Sequence, residues 1–288
     1  RAFLIANRGK VIAEAYGQGA DADTPLLGWS MAKSLTAIML ANLEYRGTLD
    51  LDGAPEFELW QGDERSQIRI SDMLTMTDGL AFSEEYNPGD DATAMLFTEA
   101  SSSEFVLNKP ALHAPGSRFN YSSGTANLLA RIYFEKTGGN QGNYDAYMEG
   151  IHQSLAFQNV IFEIDASGVF MGSSYLYASA RDWARIGQLM LNGGVINGQR
   201  IMSEDWVSRA TSPNTSENQK AYGYQWWLNR GNTELRWTDI PIGAYSAQGN
   251  RQQYLMVIPS LDLVIVRLGW TAGGYPVNDR FSEIIENL

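Results

Sequence analysis

Ser30 and Lys33 stand three residues apart in Gly28-Trp29-Ser30-Met31-Ala32-Lys33, a spacing that puts a hydroxyl and an amine on one helix face. Cβ atoms three apart on a helix lie about 5–6 Å from each other. The positive end of the helix would stabilise charge developing on the hydroxyl oxygen. Met31, Ala32, Leu35 and Ile38 surround the lysine with apolar groups. Burial disfavours an ammonium and lowers its pKa, so the amine could accept the serine proton. A capping serine followed by a snorkelling lysine would give the same spacing without chemistry. The segment also approximates the Gly-x-Ser-x-Ala nucleophile elbow, whose chemistry needs a histidine late in the chain. The two histidines are His113 and His152, and no histidine follows them. The elbow fails on its missing base.

A second polar cluster, Pro115-Gly116-Ser117-Arg118-Phe119-Asn120-Tyr121-Ser122-Ser123-Gly124, precedes an expected helix. Tyr121 near an ammonium would hold a depressed pKa and shuttle protons. Alternatively, Tyr121 packs as a core aromatic while the serines cap the helix. Trp29, Trp226 and Trp227 could line an apolar acyl pocket beside Ser30. Adjacent strand residues face opposite ways, so at most one of Trp226 and Trp227 points inward. His113 reads as a loop residue and His152 as a helix-surface one, and they share no metal-binding spacing. Asp21 and Asp23 lack the ligand count of a calcium loop. No metal or cofactor is expected. Asn120 and Asn214 open glycosylation sequons.

Short strands and helices must position these groups. Ala2 to Ala6 and Val11 to Tyr16 read as two strands joined by a glycine-containing hairpin turn at Asn7-Arg8-Gly9-Lys10. A helix runs from about Met31 to Arg46, apolar almost all round and closed by Gly47. Further on, Ser71 caps a turn carrying Met73, Leu74 and Met76. A helix from about Thr125 to Lys136 follows, then one opened by Ser179 and Asp182 as a capping box and running through Leu191. Ser203 opens another near Trp206. Strands return at Tyr222 to Asn229, Ala244 to Gln248, Gln253 to Ile258 and Leu263 to Leu268, and a last helix covers about Asp279 to Asn287. The order predicts an α/β (α+β) fold: an antiparallel sheet built from both chain ends, flanked by helices, with a mainly helical domain inserted. The expected division is 1–50 with 165–288 for the sheet domain and 51–164 for the insert, with the active site between them.

Composition narrows the partners. The 288 residues carry 21 Lys and Arg against 33 Asp and Glu, a net charge of −12 that repels phosphate backbones and anionic lipid. The charge therefore argues against nucleic acid as a partner, and no apolar run reaches the ~18 to 20 residues of a spanning helix. Cysteine is absent, which excludes disulfides, thiolate nucleophiles and zinc–cysteine sites. No leader precedes Arg1, and the strand starting at Ala2 fits a trimmed or mature form. A small-molecule ester or amide is the expected partner. Compartment and oligomeric state are left open.

In this order the segments resemble the serine β-lactamase/penicillin-binding superfamily, in its class C-like esterase, carboxypeptidase and amide-hydrolase branch. Gly28 to Ser34 resembles the first motif and Pro115-Gly116 through Tyr121-Ser122-Ser123 the tyrosine motif. Gly172-Ser173-Ser174, Ala178 through Gly187 and Asn192-Gly193-Gly194 resemble the late-helix signature. Tyr222 to Trp227 and Ala247 to Asn250 resemble the closing strands.

The resemblance implies a β-lactamase/transpeptidase-like fold and a metal-independent serine hydrolase working through an acyl-enzyme. It makes Ser30 the nucleophile, Lys33 its activator and Tyr121 the general base or acid that protonates the leaving group. The N–H groups of Ser30 and Gln248 would form the oxyanion hole. Trp29, Ser123, Trp227, Ala247, Gly249 and Arg251 would contact substrate. Two positions depart from the pattern: Ser123 replaces a frequent Asn, and Ala247-Gln248-Gly249 lacks the cation of Lys-Thr-Gly. Lys136-Thr137-Gly138 closes a helix and cannot supply a strand edge. Arg251, shortly after the strand, could replace the missing cation or be a surface charge. The departures favour ester or amide hydrolysis, with β-lactamase or D,D-carboxypeptidase activity and a weakly catalytic penicillin-recognising homologue as alternatives.

Overall fold

The computed structural model describes all 288 residues. The chain opens with β1 (Ala2–Asn7), β2 (Lys10–Tyr16), β3 (Leu26–Leu27) and α1 (Ala32–Tyr45). A helical stretch follows: α2 (Ile70–Leu74), α3 (Asp91–Phe97), α4 (Ser102–Leu107), α5 (Ser123–Lys136) and α6 (Gln141–Ser154). Then come β4 (Val160–Phe162), β5 (Leu176–Ala178), α7 (Ala180–Leu191), β6 (Val195–Ile196), β7 (Gln199–Arg200) and α8 (Glu204–Ala210). The chain closes with β8 (Trp227–Leu228), β9 (Tyr245–Gly249), β10 (Gln253–Ile258), β11 (Leu263–Leu268) and α9 (Val277–Glu286).

The two chain ends share one antiparallel sheet, ordered β2-β1-β11-β10-β9-β8, as the element order predicts. Arg8 and Gly9 both take positive φ between β1 and β2, the backbone of a two-residue type I′ turn. Along β10 the side chains alternate between two layers. Leu255 and Val257 join the core beneath α1 and α7, while Tyr254, Met256 and Ile258 meet Phe281 of α9. Gly187 lets α7 lie against the sheet, since a Cβ there would stand 2.7 Å from Val264 Cγ1. The larger core continues through α1 to Leu128, Leu129 and Ile132 of α5; α7 packs on the sheet, α1 packs on α5, and β9 and β10 meet the turn that leads into α1. No helix is long and apolar enough to cross a membrane.

Two expected elements differ. The strand expected over 222–229 joins the sheet only at Trp227 and Leu228, and Tyr222 bridges back to Trp227. Before it the chain turns back on itself: Gly223 N–H donates to Trp226 O at 2.9 Å, and Gln225 has φ +61°. The second difference is the turn at Ser71, which this residue does not cap. Asp72 accepts the Arg69 N–H at 3.0 Å and also pairs with the Arg69 guanidinium, so α2 begins one residue ahead of Ser71.

Candidate active site

A short 3₁₀ turn, Trp29–Met31, leads into α1 and carries Ser30. Two close approaches fix its place. A Cβ on Gly28 would stand 2.4 Å from the Trp183 ring of α7, and one on Gly249 would stand 2.0 Å from Gly28 O. Glycine at both positions lets α7 and the end of β9 converge on the turn. Trp29 itself has φ +50°, an uncommon conformation for a bulky residue, directly before the hydroxyl.

Lys33 lies one turn further along α1 and is 1% exposed. Its Nζ donates to Ser30 Oγ at 3.0 Å, Ser123 Oγ at 2.9 Å and Ser173 O at 3.0 Å. Those three acceptors match the three donors of an ammonium. Burial lowers the Lys33 pKa to about 8, with the Glu84 carboxylate pulling the other way. Ser173 is held in turn by Asn127 Oδ1, which accepts its N–H at 3.0 Å. Ser123 sits in the first turn of α5, which Ser122 caps by accepting the Thr125 N–H at 2.9 Å.

Tyr121 reaches the same centre one residue before that cap, and Lys33 Nζ stands 4.9 Å from its ring centroid. The depressed pKa expected for this phenol is not found. Removal from water raises it well above the ordinary value, and the fields of Tyr222 and Glu84 add to that, against an opposing hydrogen bond with Ser30. The ammonium lies over the face of the ring, where it binds the π-electrons. The phenol therefore stays protonated at neutral pH.

Beside Ser30 opens a cleft of about 500 Å³, lined among others by Trp29, Tyr86, Phe97, Tyr121, Trp227 and Gln248. Trp227 stacks on Tyr121 with centroids 5.4 Å apart, while Trp226 is fully buried in the core. One of the two faces the cleft and the other the core, although Trp226 lies in the turn before β8 and not on the strand. On β9, β8 pairs only as far as Ser246. Ala244 O accepts the Asn229 N–H at 2.9 Å, and Gln248 shares the parity of Ala244 and Ser246. Its peptide N–H therefore faces the open edge beyond β8, on the side away from β10.

The model of the beta-lactamase family matches residues 2–280. The chain belongs to the beta-lactamase family. It is similar to 6-aminohexanoate-dimer hydrolase from Paenarthrobacter ureafaciens, 28% identical over 290 residues, covering 93% of this chain and 71% of that protein. A Bacillus anthracis structure provisionally described as a 6-aminohexanoate-dimer hydrolase superposes with a TM-score of 0.80 at 21% identity, over 100% of this chain and 80% of that one. A family VIII carboxylesterase superposes with a TM-score of 0.73 at 14% identity, over 99% and 91%. The chain is thus a hydrolase of the beta-lactamase family.

Within this beta-lactamase-family site, most residues singled out from the sequence gather within one neighbourhood. Ser30, Trp29, Tyr121, Trp227, Gln248 and Gly249 line the cleft, with Lys33 and Ser123 buried behind it. Ala247 turns its methyl into the core. Arg251 does not line the cleft: it sits in the β9–β10 turn with φ +62°, and its guanidinium packs 5.6 Å from the ring of Trp270, which stands 6.4 Å from Trp29. His113 is exposed in a loop, whereas His152 is half-buried with its Nε2 unpartnered. Asn214, offered by the sequence as a sequon, is buried and donates to Gln219 O and Tyr222 O. Lys136-Thr137-Gly138 closes α5.

Sequence reading missed Glu84. Its carboxylate accepts the Ser123 hydroxyl at 2.7 Å and the Ser123 N–H, and the Tyr86 hydroxyl donates to it at 2.8 Å. Nothing in the spacing of Ser83-Glu84-Glu85-Tyr86 separates it from a solvated loop acid.

Proposed function

We propose that this chain hydrolyses esters or linear amides through an acyl-enzyme on Ser30, with Lys33 as the proton acceptor. The observation that carries this reading is the set of partners around Lys33 Nζ. Ser173 O can only accept, and Ser123 Oγ gives its own proton to Glu84, so both require an N–H from the lysine. A neutral amine has two N–H groups and one lone pair. With both N–H groups committed, the lone pair is left facing Ser30 Oγ. Ser30 then loses its proton to Lys33 as its oxygen attacks the substrate carbonyl. The N–H groups of Ser30 and Gln248 would hold the resulting oxyanion. Tyr121, kept neutral by its surroundings, passes a proton to the departing oxygen or nitrogen. In the second half the phenolate takes a proton from the water that attacks the ester at Ser30, and the Lys33 ammonium returns its proton to Ser30 Oγ as the acid leaves. No step calls for a metal.

Cleft composition supports an uncharged, apolar acyl group. No Lys, Arg or His lines it, and the oxygens of its one carboxylate, Glu84, are already hydrogen-bonded. A substrate carboxylate would be desolvated there without a partner. The amide hydrolase among the relatives keeps linear amides in range.

A fluorophosphonate probe should label the wild-type chain and fail on Ser30→Ala; labelling that survives the substitution removes Ser30 from this role. The rate should climb as pH rises through about 8, because only the amine form of Lys33 can take the proton. A panel of p-nitrophenyl esters, a linear aminohexanoate amide, a D-alanyl dipeptide and a chromogenic cephalosporin then ranks the substrate classes. EDTA should leave every rate unchanged.

A further inference from the structure

The acid missed in the sequence sits behind the proposed nucleophile, with the Ser123 hydroxyl between it and Lys33. A serine hydroxyl has one proton, and which neighbour receives it decides what the oxygen can do for the other. Here Ser123 Oγ donates to Glu84 Oε1 at 2.7 Å and accepts from Lys33 Nζ at 2.9 Å. The Ser123 N–H, in the first turn of α5, and the Tyr86 hydroxyl complete the carboxylate's partners.

We propose that Glu84 is a positioning residue that holds Ser123 Oγ as an acceptor and thereby keeps the free valence of Lys33 aimed at Ser30. This deepens the reading of Ser30 and Lys33 given above and rests on it. Were Ser123 free to rotate, its proton could point at Lys33 Nζ and occupy the lone pair that Ser30 needs. The carboxylate removes that alternative, since an ionised Glu can only accept.

Charge gives the assignment a second consequence. Glu84 is the charged group whose field supports the Lys33 ammonium against burial. Around Glu84 stand Tyr86 from its own loop, Tyr121 from the segment before α5 and Tyr222 from the turn before β8, phenols that burial keeps neutral and whose ionisation the Glu84 field further opposes. Asp90 of the same loop binds the N–H groups of Glu85 and Tyr86, and Arg236 acts on Tyr222. Removing the Glu84 charge should therefore let Lys33 lose its proton more easily, while loosening the serine that aims it.

The test measures fluorophosphonate labelling of Ser30 and ester kcat/KM against pH for the wild type, Glu84→Gln and Glu84→Asp. In Glu84→Gln the acid limb should move to lower pH by about one unit, the scale of one charge lost across a single bridging hydroxyl. Its plateau kcat should fall at least about tenfold with KM little changed. Glu84→Asp should recover more than half of both changes, because the charge remains. A limb that stays in place in Glu84→Gln, or moves equally in both variants, overturns the proposal. A third measurement leaves Glu84 in place and removes the bridge: in Ser123→Ala the plateau kcat should fall at least about tenfold, while the acid limb moves less than in Glu84→Gln because the charge remains. A wild-type plateau in Ser123→Ala also overturns the proposal, so a Glu84 variant that fails to fold does not shelter it. If the wild type itself is not labelled at Ser30, the functional reading falls instead, and the two failures are distinct.

Discussion

The starts of α5 and α7 each bring a serine, a carboxylate and a cation together, and only that of α5 borders the cleft. At α7, Ser179 Oγ donates to Asp182 Oδ2 at 2.7 Å, and Arg185 donates to Oδ1 at 2.7 Å. The same carboxylate accepts the Gln158 and Asn159 N–H groups, both at 3.0 Å. At α5, Ser123 bridges Glu84 and Lys33. Each holds a hydroxyl, a carboxylate and a cation, so charge class does not separate the two. The cation does. An arginine stays charged throughout the physiological range, and this one is a third exposed. Lys33 is buried, titrates near 8 and touches a second hydroxyl. One cluster holds chain segments together, and the other can move a proton.

The largest expected effect breaks the difference at its source. Lys33→Ala should slow acylation of Ser30 by at least ~100-fold, the scale of losing a positioned proton acceptor. Stopped-flow ester turnover checks it, and near-normal turnover would make the lysine structural and the two clusters equivalent. Asp182→Ala comes next and should act on folding. Asp182 is fully buried, and its loss strands two backbone N–H groups and the Ser179 hydroxyl. The expected cost is about 3 kcal/mol, read as a lower urea midpoint. Its pH–rate profile should keep the wild-type acid limb. A shifted limb would mean that the α7 cluster also governs the proton.

What the sequence disclosed follows the same division between local and distant causes. β10, β11, the β1–β2 hairpin and α1 were legible because their apolar patterns and turn residues act within a few positions. The spacing of Ser30 and Lys33 was legible for the same reason. Most of the strand expected at 222–229 was misread because its signal was local while its fate is not. A Cβ on Gly223 would strike Ala210 O at 2.0 Å, and Gln225 N–H donates to Leu74 O at 3.0 Å, contacts made by a turn against distant segments. Tyr121 does line the cleft beside Ser30, yet its pKa shift was expected in the wrong direction. Proximity to an amine suggested phenolate, whereas the direction depends on desolvation and on where the amine lies over the ring. Glu84 left no local trace, because its role depends on a loop folding back onto the start of α5. Arg251 was attractive by its place after β9, but its position in the turn carries it to Trp270 instead.

The smallest expected effect sharpens the comparison from the α7 side. Arg185→Ala removes the cation there as Lys33→Ala removes it at α5, yet little should follow. Asp182 Oδ1 would still accept the Gln158 N–H, and Oδ2 would keep the Asn159 N–H and the Ser179 hydroxyl. Neither oxygen is orphaned, so the loss is that of one partly exposed ion pair, about 0.5–1 kcal/mol after solvent screening. The urea midpoint should fall slightly, and kcat, KM and the acid limb should stay within error of the wild type. The near-absence of an effect is informative because the α5 cluster has no such redundancy: Lys33 is the group through which Ser30, Ser123 and Ser173 O are joined. A large loss of activity in Arg185→Ala would mean that charge at α7 reaches the cleft through Trp183 and Gly28, and that burial of the cation is not what separates the two helix starts.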